Sequence, residues 1–238
     1  WYSEAKPPWL MWRGGVTLLF HKGNTFKRPD EDTSEKTGPA RFWELIKGEL
    51  ATVLIVNLLF LITCIPVITI PPALLSLHMV MHKIVLGKSV SCVRDYFSAF
   101  KQSWKRAYGA FFLTVVPMGI AGYGAIFYLR NTAEYPVLLL LFALCTTAFF
   151  VTTLASTYLY GLLCSGKLLR DAVKPALILG VGKPLRAILA ALCYYGLFLL
   201  AMLYFPFSGL YLLLLGFSLP CLLGNFYIRT VLKQYFGD

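Results

Sequence analysis

The chain has 238 residues, of which 58% are hydrophobic and 14% charged, with a formal net charge of +11. Soluble domains run at about 45–50% apolar and about 25% charged, so this composition excludes an ordinary soluble domain and points to an integral membrane protein. The excess of Lys and Arg comes with no nucleic-acid motif, and its placement along the chain explains it instead.

Residues 1–40 read as a polar cytoplasmic N-terminal segment, ahead of a single transmembrane domain over 41–238. The one apolar run in that segment, Leu10–Phe20, is too short to span and carries Arg13. Residues 23–40 are polar and rich in turn formers. From Leu50 to His82 there is no Lys, Arg, Asp or Glu. The stretch Cys64–Ala73, CIPVITIPPA, interrupts this run with Pro66, Pro71 and Pro72. Proline breaks a helix interior but suits a helix start, so the spacing predicts a turn between two apolar arms. Basic residues flank both ends of the pair, Arg41 and Lys47 before it and Lys83 and Lys88 after it. Both ends are therefore cytoplasmic. The arms either cross twice with the turn outside or, being short, form a re-entrant hairpin.

Four further spans follow: Ala107–Leu129, Pro136–Leu163, Leu185–Phe205 (with Pro184 placed for a first turn) and Gly209–Tyr227. The connections 88–106 and 166–183 are basic, and 130–135 and 206–208 are not. Six crossings with both termini in the cytoplasm satisfy this alternation. The expected fold is all-α: a polytopic membrane helix bundle of about six transmembrane helices with two cytoplasmic amphipathic connecting helices.

In the first connection Val93, Tyr96, Phe97, Phe100, Trp104, Ala107 and Tyr108 form one helical stripe. Arg94, Asp95, Ser98, Lys101 and Lys105 fill the other face. In the second, Leu169, Ala172, Val173 and Ala176 oppose Lys167, Arg170, Asp171 and Lys174. Arg94–Asp95 recurs as Arg170–Asp171, a weak internal repeat of span, amphipathic helix, span. Pro175 is expected to break or kink the second helix, and Pro117 and Pro220 to kink their spans. Each stripe suits either the headgroup boundary, with basic groups on anionic lipid, or a helix-in-groove contact with a partner.

Motifs for chemistry are weak. Gly161–Lys167, GLLCSGK, has the phosphate-loop spacing, but Leu168 stands where Ser or Thr would hold magnesium and a span precedes it; its glycines read as helix-end punctuation. His78 and His82 are one turn apart and lack a third ligand and an HExxH glutamate. The six cysteines show no metal or disulfide spacing. No cofactor, metal site or catalytic residue is expected. Asn57, Thr146, Thr147, Thr152, Thr153, Ser156 and Asn225 are polar residues within spans, expected to bond between helices or to backbone carbonyls.

Asn57–His78, NLLFLITCIPVITIPPALLSLH, followed by Val93–Phe112, VRDYFSAFKQSWKRAYGAFF, resembles the YesL-like family of bacterial integral membrane proteins, domain of unknown function 624. The hairpin part of the family pattern falls on Asn57, Leu58, Pro66, Thr69, Pro72 and Ala73. The aromatic part falls on Tyr96, Phe97, Phe100, Lys101 and Trp104. Pro71 departs from it, at a position where the family often has Gly. The likeness covers roughly residues 40–130. It implies a multi-pass protein of the bacterial plasma membrane, encoded near carbohydrate ABC importers, with no established catalytic residue.

Together these readings give a non-catalytic accessory subunit of a carbohydrate ABC import system that binds the permease subunits. Tyr96, Phe97, Phe100, Lys101, Trp104, Leu169 and Val173 are its docking residues. The alternative is a permease-like subunit or transporter that lines a sugar path itself. Neither amphipathic connection carries the Glu-Ala-Ala of true sugar permeases.

Overall fold

The structure, a computed structural model, describes residues 39–132, 135–204 and 206–236. The polar segment expected over 1–40 lies outside the described residues except for its last two.

Every regular element among the described residues is helical. α1 (Pro39–Cys64) and α2 (Ile70–Val85) flank a short 3-10 turn, Val67–Thr69. Pro71 and Pro72 fall in the first turn of α2, where a missing N–H loses no helical bond. The Thr69 hydroxyl donates to the carbonyls of Thr63 and Pro66 and fastens the tip. The expected turn between two arms is therefore present. α3 (Cys92–Gln102) and α4 (Trp104–Asn131) meet at Ser103. α5 (Leu138–Cys164) and α6 (Leu169–Gly182) follow. α7 (Pro184–Ala191) and α8 (Leu197–Leu203) are joined through a π-helical turn, Leu192–Gly196. α9 (Gly209–Leu214) and α10 (Ser218–Phe236) complete the described chain.

Five stretches are long and apolar enough to cross a membrane: Ile46–Cys64, Val67–Val85, Trp104–Asn131, Leu138–Cys164 and Pro184–Leu203. The chain is an all-α bundle of membrane-spanning character. The sixth expected span, Gly209–Tyr227, is not one helix. It breaks at 215–217, so Pro220 sits in the first turn of α10 and kinks nothing. The physical reason is that proline costs a helix nothing in its first turn. Pro175 does not break α6, which leaves the kink of the two outcomes expected there, and α4 likewise continues through Pro117.

The two amphipathic helices are entered through the same cap. At the end of α2, Gly87 has φ 72°, and Lys88 N–H bonds the Lys83 carbonyl at 3.1 Å. At the end of α5, Gly166 has φ 85°, and Lys167 N–H bonds the Leu162 carbonyl at 3.3 Å. Both are the six-to-one closure of a helix end, which needs a left-handed residue that glycine supplies without strain. The thin Arg-Asp repeat thus has a shared backbone form.

Most of α2 is buried, whereas α4 and α5 keep broad apolar faces exposed. Two apolar clusters share α2: one around Leu75, Tyr158 and Leu162, the other around Val56, Met81, Tyr96 and Leu222. The Tyr108 hydroxyl, at the start of α4, donates to the Ile68 carbonyl in the hairpin tip.

Candidate functional site

The hairpin motif residues do not converge on an open pocket. They organise the interior. Asn57 is fully buried on α1 and faces the gap between α9 and α10. Its Nδ2 donates to the carbonyls of Leu212 (3.2 Å) and Leu213 (2.7 Å). Its Oδ1 accepts from the N–H groups of Phe217 and Ser218, both at 3.1 Å. One amide thus answers carbonyls freed at the end of α9 and N–H groups freed at the start of α10. In hydrocarbon such groups have no water to turn to. Pro66, Thr69 and Pro72 shape the tip, and Ala73 is buried against α1 and α3 neighbours.

The residues expected to dock a partner divide. Tyr96 is 0% exposed and its hydroxyl lies 2.6 Å from that of Thr63. Burial pushes its phenol pKa up, against the smaller opposing effect of the Thr63 bond. Tyr96 is therefore withdrawn from any docking face: α3 spends the centre of its stripe on α1 and α2. Phe100 packs on the same cluster, and Leu169 and Val173 pack on the other. What remains outward is Val93, Phe97 (39% exposed) and Trp104 (38%), beside exposed Lys101 and Lys105. Phe100, Trp104, Tyr108 and Phe112 continue as a ladder of ring contacts at 5.7, 5.9 and 6.4 Å. Lys83 and Asp95, 3.4 Å apart, pin the start of α3 to the end of α2.

A second constellation lies deeper. His78 stacks on Tyr160 (centroids 4.8 Å apart, 16° between planes) and meets Tyr194 at 5.2 Å. Asn225 Nδ2 is 3.5 Å from His78 Nδ1. These rings border a cavity of about 270 Å³ whose wall also includes Ser156, Thr157 and the break residues Gly216 and Phe217. Among the described residues no three His, Cys, Asp or Glu come together as metal ligands. His78 is occupied with rings and an amide. Of the phosphate-loop glycines, Gly166 is the expected helix-end cap, whereas Gly161 lies within α5 and leaves room for Ile228 and Leu232.

Residues 53–125, which carry the hairpin, α3 and most of α4, match the family model described as Protein of unknown function, DUF624. The likeness to DUF624 rests on this stretch. No curated protein and no solved structure matches the chain. The DUF624 stretch contains Asn57, Tyr96 and His78, whereas their partners Leu213, Phe217, Tyr160 and Asn225 come from outside it. Tyr96 differs: its partners Thr63, Phe97 and Phe100 all fall within the stretch. The sequence marks Asn225 only as a polar residue in an apolar run, and His78 only by its spacing from His82. Their meeting is set by α2 crossing α10, and sequence spacing carries no sign of that.

Proposed function

We propose that the protein is a non-catalytic accessory subunit of a carbohydrate ABC import system in the bacterial plasma membrane, binding the permease subunits, with both termini cytoplasmic. The observation that carries the reading is the apolar edge Val93, Phe97 and Trp104, left outward after α3 has buried Tyr96 and flanked by exposed lysines. Such an edge beside charge is what a helix offers a partner's groove. The resemblance supplies the importer. The same charged rim meets anionic headgroups where no partner covers it.

The test is native co-purification in mild detergent, with sugar uptake measured in the same strains. Phe97→Asp and Trp104→Asp should abolish recovery of the permease subunits while the protein stays at normal level in the membrane, because a charge would be trapped in the contact. Lys101→Glu and Lys105→Glu should weaken membrane-surface contact more than partner recovery. Intact association and uptake in both aromatic variants would sink the reading.

A further inference from the structure

We propose that the cavity between α2, α5, the π-helical turn and the α9–α10 break binds a small uncharged molecule: a flat ring bearing one or two carbonyl or hydroxyl oxygens, of the quinone or phenol kind. This goes beyond the docking role and does not depend on it.

The lining decides the class. Its walls carry a cluster of aromatic rings: His78, Tyr160, Tyr194, Tyr195, Phe198 and Phe217. Aromatic side chains take ring partners in offset or edge-on contact, which suits a flat guest. Among the described residues no Lys, Arg, Asp or Glu lines the cavity, so a charged guest would lose its hydration without meeting a counter-charge. Hydrogen-bonding capacity is partly spent: the Tyr194 hydroxyl is buried without a partner among the described residues, while two other lining hydroxyls are already engaged. The Ser156 hydroxyl donates to the Thr153 carbonyl at 2.7 Å and lies 3.0 Å from the Tyr195 hydroxyl. The Thr157 hydroxyl donates to the Leu154 carbonyl at 2.8 Å. A sugar carries a hydroxyl on most ring carbons and would bury several of them unpaired, which is costly. A ring with one or two oxygens asks for no more than these groups and His78 can answer. The size agrees: about 270 Å³ is a single-ring volume near the small end of ligand pockets.

The backbone supplies a second, independent sign. Two departures from regular helix border the same space. The π-helical turn contributes Tyr194 and Tyr195, and the α9–α10 break contributes Gly216 and Phe217. Single π turns recur at functional sites. Interrupted helices in membranes occur where they border a site or cavity. An unbroken α9–α10 would need no bonds from Asn57, yet the chain keeps the break and the amide that supports it. Tyr195 is 40% exposed, so the cavity wall reaches the outer surface of the bundle. A guest dissolved in the membrane reaches it there.

The chemistry has two sources, a free ring or the ring of a tailed lipid, and the experiment separates them. The full chain in lipid nanodiscs is titrated with duroquinone, which has no tail, and with decylubiquinone, which has one. Saturable binding near one per chain is expected. It should weaken by at least about tenfold in Tyr195→Ala and in Phe198→Ala, with monodispersity and helix content unchanged. Binding of both probes identifies the ring as the recognised part, and binding of decylubiquinone alone identifies a lipid source. Non-saturable partitioning, wild-type affinity in both variants, displacement by palmitate, or saturable binding of methyl glucoside in place of the quinones would each overturn the proposal.

Discussion

Asn57 and Leu213, far apart in the chain, are joined by a 2.7 Å bond from the Asn57 amide to the Leu213 carbonyl, and the same side chain reaches Phe217 and Ser218 across the helix break. Asn57→Leu removes all of these bonds at once. Each buried group left unpaired costs about 1–3 kcal/mol, with the sum reduced by local rearrangement. The variant should unfold in detergent at a clearly lower temperature than the native chain. Asn57→Asp keeps the acceptor, loses the donor and adds a charge within the bilayer, so it should be no more stable than the leucine variant. A native unfolding midpoint in Asn57→Leu would show that the break does not lean on this amide.

The apolar arms, the proline turn and both amphipathic helices were legible from composition and period, because spans and stripes are local patterns. The break was not. Residues 209–219 are uniformly apolar apart from Ser208 just before them and Ser218, and Gly216 is a weak mark among many membrane glycines. Asn57 stood out as a polar residue in a span, but its partners lie at the other end of the chain. The stripe of α3 was visible, yet a period cannot say which neighbour covers it. Tyr96 turned inward because Thr63 and the α2 side chains lie there.

Helices α5 and α6 touch backbone to backbone at Gly180. A Cβ placed there would lie 3.1 Å from the Ala155 nitrogen and 3.2 Å from its Cα, whereas at Gly182 it would meet nothing within 4 Å. Gly180→Ala should therefore loosen the pair and lower the unfolding temperature, since main chain cannot swing aside as a side chain can. Gly182→Ala should be neutral or slightly stabilising, because alanine costs less backbone entropy in a helix. Equal midpoints for the two variants would contradict the close approach.

Tyr96 and Phe97 are neighbours with opposite duties. Tyr96→Phe should lose about 0.5–1.5 kcal/mol with the Thr63 bond, and Tyr96→Ala about 3–5 kcal/mol by opening a cavity. Phe97→Ala, half outside, should change stability by roughly 0.5 kcal/mol or less. Denaturant unfolding in detergent separates them. A large loss for Phe97→Ala with little for Tyr96→Ala would reverse the assignment of the two faces.

The hairpin tip and the start of α4 share a bond, and this bears on topology. Six crossings put the tip outside and residues 88–106 inside. Tyr108 is two residues beyond that connection, about 3 Å of helix, and the hydrocarbon core is about 30 Å thick. A tyrosine cannot reach across it, yet its hydroxyl bonds the Ile68 carbonyl. The bond favours the re-entrant alternative for α1–α2, in which the tip turns back before reaching the far side and both arms begin and end on one side. The mostly buried α2 fits, since re-entrant segments persist in membranes where protein covers them. Cysteines at Thr132 and Ser208 should react with a membrane-impermeant maleimide added to whole cells, and a cysteine at Ser98 should not. Val67, 77% exposed at the tip, is the deciding position. Val67→Cys should stay unlabelled from outside, as Ser98→Cys does. Strong external labelling of Val67→Cys, with Ser98→Cys silent, would mean that the arms cross twice and that the Tyr108 bond does not form in the membrane.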